Sequence, residues 1–258
     1  MGSAARNELT LGSDQDNGLA YADTGDEAVF EYFRRVAEEV NLGLERCGFA
    51  RDTHGVLASN QQWRMSLSEW REIFTRCLGG ADPDRLMRAS VAFDFRHVTG
   101  DLVIVPALTD ILREAPRHSR FLGGLADLAV SIRSPLGFRR RLVGPVDVKK
   151  SGLLPIQNLA RYHAFARGIT ATTTLERLAA VHATQGLEGE SGRALREAFT
   201  SMAQLRLRHH ADAFRAGRTP DNAVDSETLS PLARVSLQEA LRVVAAAQKD
   251  LPQRLPPL

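Results

Sequence analysis

The sequence predicts an α+β protein: a small mixed sheet with flanking helices, followed by an α-helical bundle. Three observations carry that prediction. Alternating, strand-like stretches occur only before about residue 150, helical periodicity runs through the segments beyond 155, and glycine or proline marks the gaps between them. At 258 residues the chain has room for one large domain or two modest ones. The change in pattern puts a mixed part at residues 1–140 and a helical part at 141–258.

The elements follow in order. "GSDQDNGLAYADTG" reads as a strand closing in a turn, with Leu11, Leu19 and Tyr21 around its extended core. "TGDE" reads as a capping box with Thr24 at the N-cap and Glu27 three residues on. The helix it opens carries Val29, Phe33, Val36, Val40 and Leu44 at helical spacing, and Gly48 suits its end. Ser66 and Glu69 form a second capping box, before a helix with Leu67, Trp70, Ile73 and Phe74 on one face that stops at Gly79-Gly80. "ASVAFDFRHV" alternates as a strand, with Val91, Phe93 and Phe95 on one side and Ala92, Asp94, Arg96 and Val98 on the other. Residues 102–134 are helical with a break at Pro116; "GFRRRL" is a solvated basic loop, and "VDVKKSGLLPI" a short strand and turn. Helices are then expected at 156–167, 174–185, 190–216 and 231–250, with a capping box at Thr173 and Glu176 and an N-cap at Ser230 before Pro231.

Composition narrows the function classes. A net charge of +2, without a polybasic tail, gives no basis for broad binding to nucleic acid, which is not expected as a partner. No apolar run reaches the ~20 residues that span a bilayer. The start of the chain lacks the basic and apolar pattern of a secretory signal, so a cytoplasmic location is expected. Two cysteines, Cys47 and Cys77, fit a reducing compartment and are expected to be buried or half-buried thiols.

Chemistry concentrates near the start. Asp14 and Asp16 are one residue apart, so on a strand both project from one face. Two carboxylates that close repel in low dielectric unless a cation lies between them. Mg²⁺ or Mn²⁺ suits such a pair, since hard divalent ions take one or two carboxylates and complete their shell with substrate phosphates. Asp94, on a second strand, is the expected third ligand. Gly2 and Ser3 offer close backbone approach and a hydroxyl donor to phosphate, and Arg6 a charge to neutralise it. Trp63 and Trp70 are read as core residues, His209-His210 as solvated or packing residues, and Asp221-Asn222 as turn chemistry.

Taken in order, Gly2-Ser3, Arg6-x-Glu8, Ser13-Asp14-Gln15-Asp16-Asn17 and Phe93-Asp94-Phe95-Arg96 resemble the motifs of the DNA polymerase β-like nucleotidyltransferase superfamily. The strings "CGFARDTHGVLASNQQWRMSLSEW", "VDVKKSGLLPIQNLARYHAFARGI", "TTTLERL", "LREAFTSMAQLRL" and "LSPLARVSLQEALRVVAAAQ" resemble one branch of it more closely. That branch comprises bacterial nucleotidyltransferases often fused to CBS or cyclic-nucleotide-binding domains and related to PII uridylyltransferase. The resemblance implies transfer of a nucleoside monophosphate from a nucleoside triphosphate to a hydroxyl acceptor, such as a regulatory protein. It implies Asp14, Asp16 and Asp94 at the metals, Gly2 and Ser3 at the triphosphate, Lys149 (beside Lys150) near phosphate or in domain contact, and a helical C-terminal part that binds substrate. Family members carry a strand before the Gly-Ser loop where this sequence has Met1 alone, so an N-terminally truncated domain is expected. The alternative is a catalytically inactive nucleotide-binding signalling module.

Overall fold

Side-chain caps fix where the helices begin. In the computed structural model, which describes residues 1–80, 90–136, 142, 144–184 and 189–251, Ser66 Oγ accepts from the Glu69 backbone N–H at 3.3 Å. The Glu69 carboxylate in turn accepts from the Ser66 N–H at 2.7 Å. The same reciprocal pair joins Thr173 and Glu176, and Ser230 accepts from Ala233 N–H. Each satisfies backbone donors that a helix N-terminus leaves open. At the first long helix the cap is Asp26, two residues later than expected: its carboxylate accepts from Ala28 N–H at 2.9 Å, while Thr24 Oγ1 only accepts from Asp26 N–H. A carboxylate at that position also meets the positive end of the helix dipole.

The described residues form two compact units, Met1–Glu114 and Ala115–Leu258. The helix at residues 119–131 thus goes with the second unit, whereas the sequence pattern suggested a change at 140. The architecture is α+β as expected, its sheets among the described residues being two two-stranded pairs.

In the first unit, a short helix α1 (Gly2–Ala5) is followed by β1 (Leu19–Tyr21), α2 (Glu27–Arg46), β2 (Arg64–Ser66), α3 (Leu67–Gly79) and α4 (Ile104–Arg113). β1 and β2 are parallel, with Leu19 opposite Arg64 and Tyr21 opposite Ser66, so α2 serves as the crossover that parallel strands require. The helix ends where Gly48 takes φ +93°. Its N–H bonds Glu45 O and the Phe49 N–H bonds Leu44 O, closing the last turn. Only Ala37 and Asn41 of α2 are fully buried, and Val40, expected inside, is 49% exposed. Two three-residue strands cover too narrow a strip to enclose the whole apolar stripe. Trp70, Phe74, Leu78, Phe93, Leu108 and Leu112 make the core beneath α3 and α4. The Trp70 indole N–H donates to Leu19 O at 3.1 Å, and Trp63 packs on it half-buried.

The expected strand at 91–98 is absent. Residues 90–92 are helical, Phe93 and Asp94 lie in a turn and bend, and no ladder forms. Phe93 and Phe95 still both meet Phe74 edge-on, at 5.6 and 5.7 Å between centroids, with Asp94 between them. The expected alternation does not hold across the segment, since Ala92, Phe93 and Asp94 are buried in succession; what remains of it is the shared packing of Phe93 and Phe95 on Phe74.

The second unit holds α5 (Ser119–Ser131), β3 (Pro145–Asp147), a π-helical turn (Lys149–Leu153) continuing into α6 (Leu154–Phe165), α7 (Thr174–Ala183), α8 (Gly189–Arg215), β4 (Ala223–Asp225) and α9 (Pro231–Asp250). The π-helical turn stands where a plain turn was expected. Every residue of α6 from Pro155 to Phe165 is buried, with α5, α7 and α9 packed around it. Two internal bonds hold its polar side chains: Asn158 donates to Leu128 O, and Arg161 Nη1 donates to the Asn158 side-chain oxygen. Gln248 of α9 donates to Ala129 O and Ile132 O at 2.8 and 2.7 Å, closing the carbonyl end of α5. Asp221 and Asn222 do the expected turn work at the start of β4, binding Ala223 N–H, His209 and Arg206; His210 is buried. Cys77 is half-buried, but Cys47 at the end of α2 is exposed. The basic loop at 138–141 lies outside the described residues. Among the described residues no helix is long and apolar enough to cross a membrane.

Two measurements test the helix-start assignments. Asp26→Ala lowers stability by ~1 kcal/mol, and Thr24→Ala by less, in chemical denaturation. On α2, hydrogen bonds from Arg34 and then Arg35 pull the Glu31 carboxyl down to about 2 from 4.5. Because the folded value is the depressed one, this stabilisation is complete above pH 4.5 and is lost as pH falls toward 2. An NMR titration of Arg34→Met returns Glu31 toward 4.5, and high salt shrinks the shift in the native protein.

Candidate functional site

The acidic pair sits on an extended segment held by its interior neighbours. Gln15 forms a parallel bridge with Arg51; its N–H donates to Ala50 O, and Asn17 N–H donates to Val56 O. Side chains alternate along this stretch: Ser13 and Gln15 are buried, Asp14 and Asp16 half-buried. Both carboxylates therefore project from the accessible side, as their spacing predicts. The segment is a bridge leading to β1 rather than part of a long strand.

Gly2 brings the start of the chain against this pair. Its backbone N–H donates to Asp94 O at 3.0 Å. A Cβ placed on Gly2 would stand 2.3 Å from Asp16 Oδ2, and its φ is +52°. Both the close approach and the left-handed backbone call for glycine here. The Met1 amino group donates to Asp16 O at 2.6 Å, and Ser3 follows, half-buried, on α1. Gly2 thus touches the Asp16 carboxylate and the Asp94 backbone together.

Asp94 is fully buried, and its carboxylate has a cation already. Arg6 Nη1 donates to Asp94 Oδ2 at 2.5 Å, and Arg6 Nε donates to Glu8 Oε2 at 2.7 Å. Burial pulls the Arg6 pKa down, but Asp94 and Glu8 outweigh it and hold the guanidinium above its usual value. Arg6 is 9% exposed, and its guanidinium is bonded to two acids. Arg96 is exposed, its Nε donating to Ala4 O at 3.1 Å. Lys149 and Lys150 are exposed on the π-helical turn of the second unit.

The donor chemistry at Asp14 and Asp16, carboxylate oxygens on half-buried side chains, is of the kind that hard divalent ions take. It does not fit the expected three-carboxylate cage. Among the described residues no group of three His, Cys, Asp or Glu is arranged to hold a metal ion, and Asp94 Oδ2 is bonded to Arg6.

Asn41 and Gln15 were missed by sequence reasoning. The signal was there: Asn41 is a polar residue four positions after Ala37, on the buried face of an amphipathic helix. In the second unit a groove of about 240 Å³ has His163, Glu190, Ser191 and Asp250 around an apolar floor that includes Leu195 and Val243.

Removing one partner from the Arg6–Asp94 pair strands a buried charge. Arg6→Met costs ~3–5 kcal/mol in denaturant unfolding, and Arg6→Met/Asp94→Asn recovers part of it. Gly2→Ala shifts the Asp16 side-chain carbon resonance, where Gly43→Ala, with open space at its Cβ, leaves it in place.

Comparison with known families agrees with this layout. A family model described as "Putative nucleotidyltransferase DUF294" matches residues 1–84, which contain Gly2, Asp14 and Asp16. A second, described as "Putative nucleotidyltransferase substrate binding domain", matches residues 119–255, within the second unit. Asp94 and Arg96 lie between the two stretches. No curated protein matches the chain. With one model alone covering more than half of its length, the chain belongs to this nucleotidyltransferase family.

Proposed function

We propose that this protein transfers a nucleoside monophosphate from a nucleoside triphosphate to a hydroxyl acceptor, a regulatory protein being one candidate. The observation that carries the reading is the placement of Asp14 and Asp16 on the accessible side of a segment whose other side is buried, with Gly2 against Asp16. In the reaction a bond forms between the acceptor oxygen and the α-phosphorus. The bond from that phosphorus to the bridging oxygen breaks, pyrophosphate leaves, and the acceptor proton is released.

Asp14 and Asp16 are the residues that would hold Mg²⁺ or Mn²⁺. Bound there, the ion would neutralise charge on the phosphate oxygens and on the leaving group. Ser3 supplies a hydroxyl donor beside the close-approach glycine, and the exposed Arg96 a guanidinium on the same unit. Asp94 acts through its neighbours: its backbone carbonyl fixes Gly2, and its carboxylate fixes Arg6. Catalysis of this kind is mostly positioning and charge stabilisation, so the loss of one carboxylate removes turnover while the backbone hydrogen bonds of the segment persist.

The Arg6–Asp94 pair favours a second reading, a module that binds nucleotide without turning it over, because one of the three acids is neutralised internally. Incubation with each α-labelled triphosphate and Mg²⁺ or Mn²⁺ decides. Pyrophosphate release, falling at least ~100-fold in a folded Asp16→Ala protein, supports transfer. Saturable binding without release supports the module, and unchanged release in Asp16→Ala refutes the site.

A further inference from the structure

The two neighbours of Asp16 are tied to a single side chain. Asn41, 0% exposed on α2, donates through Nδ2 to Gln15 Oε1 at 2.8 Å and to Asn17 Oδ1 at 2.9 Å. Its own Oδ1 accepts from Ser59 N–H at 2.9 Å. The bonds continue outward from both partners. Gln15 Nε2 donates to the backbone oxygens of Asn41 and Phe49 at 3.0 and 2.9 Å, and Asn17 Oδ1 accepts from Ala58 N–H at 2.8 Å.

We propose that Asn41 is a positioning residue for the Asp14–Asp16 pair, setting the direction and separation of the two carboxylates. The proposal rests on reading that pair as the seat of a divalent ion. In extended backbone, residues on either side of a given position point opposite to it. Holding Gln15 and Asn17 inward therefore turns Asp16 outward, and holding Gln15 alone does the same for Asp14. Packing by itself would call for an apolar residue on this face of α2, as Ala37 one turn earlier provides. The amide instead supplies two donors and one acceptor, each matched to a group that flanks or backs the acidic segment. Groups that orient metal ligands from behind change metal affinity by ~10–100-fold when removed.

The test compares three variants for far-UV circular dichroism, melting temperature and Mn²⁺ affinity, read by electron paramagnetic resonance without nucleotide. Asn41→Ser cuts both donor bonds and is expected to bind Mn²⁺ at least ~10-fold more weakly with an unchanged dichroism spectrum. Leu108→Ala, in the core of the same unit but outside this network, lowers the melting temperature and leaves Mn²⁺ affinity unchanged. Gln15→Met keeps side-chain bulk and the Asn41–Asn17 bond, and shows a smaller loss of affinity; it decides the matter should Asn41→Ser fail to fold. Affinity in the folded Asn41 or Gln15 variant within twofold of the native protein overturns the assignment, as does an equal loss in Leu108→Ala. Native protein that binds no Mn²⁺ overturns the metal-site reading itself, and this inference with it.

Discussion

The first unit is organised around the satisfaction of buried amides. Gln15 and Asn41 are buried and Asn17 half-buried, polar side chains placed where an apolar core would be simpler, and burying such groups without partners is costly. Here their donors and acceptors meet one another, the Asn41 carbonyl of α2, or the backbone of the loop between α2 and β2. One network therefore settles three things together: where the acidic segment lies, where α2 packs against it, and how the loop at 49–59 returns. A partly satisfied network would be worse than none, so these three pieces are fixed as a set.

The start of the chain is governed by charge pairing in the interior. Arg6 between Glu8 and Asp94 is a buried ion cluster, and such clusters add little net stability over a well-packed apolar substitute. What it does is specify. The guanidinium links residues 88 positions apart, and the Asp94 carbonyl captures Gly2 on the same stroke. Gly2 then has no room for a side chain beneath Asp16. Asp94, expected from the sequence at the metals, here holds the protein's own Arg6 through one carboxylate oxygen.

Helices and their starts were largely legible in the sequence because caps and periodicity are local. Ser66 with Glu69, Thr173 with Glu176 and Ser230 before Pro231 need only a few residues to declare themselves, and the four later helices fell close to their expected bounds. Thr24 lost to Asp26 because both are good caps and only the path of the incoming chain decides between them. The segment at 91–98 was misread for a related reason: alternation shows which side chains share a face, not whether a neighbouring strand exists to pair with. In the candidate site, Gly2, Ser3, Asp14 and Asp16 stand out in the sequence only as an ordered set that resembles a family's motifs, each piece being weak by itself. The pairing of Asp94 with Arg6, like the bonds of Asn41, joins residues far apart in the chain, and nothing local records it.

The enclosure of α6 has a consequence for how the second unit comes together. A helix without a solvated side gains little by forming early, since its burial depends on neighbours already in place. Its walls come from α5 before it in the chain and from α7 and α9 after it, so a nascent polypeptide released only as far as residue 165 still lacks two of those walls. Full enclosure of α6 is thereby reached only once α9 has emerged, and shorter products of synthesis leave part of its surface uncovered.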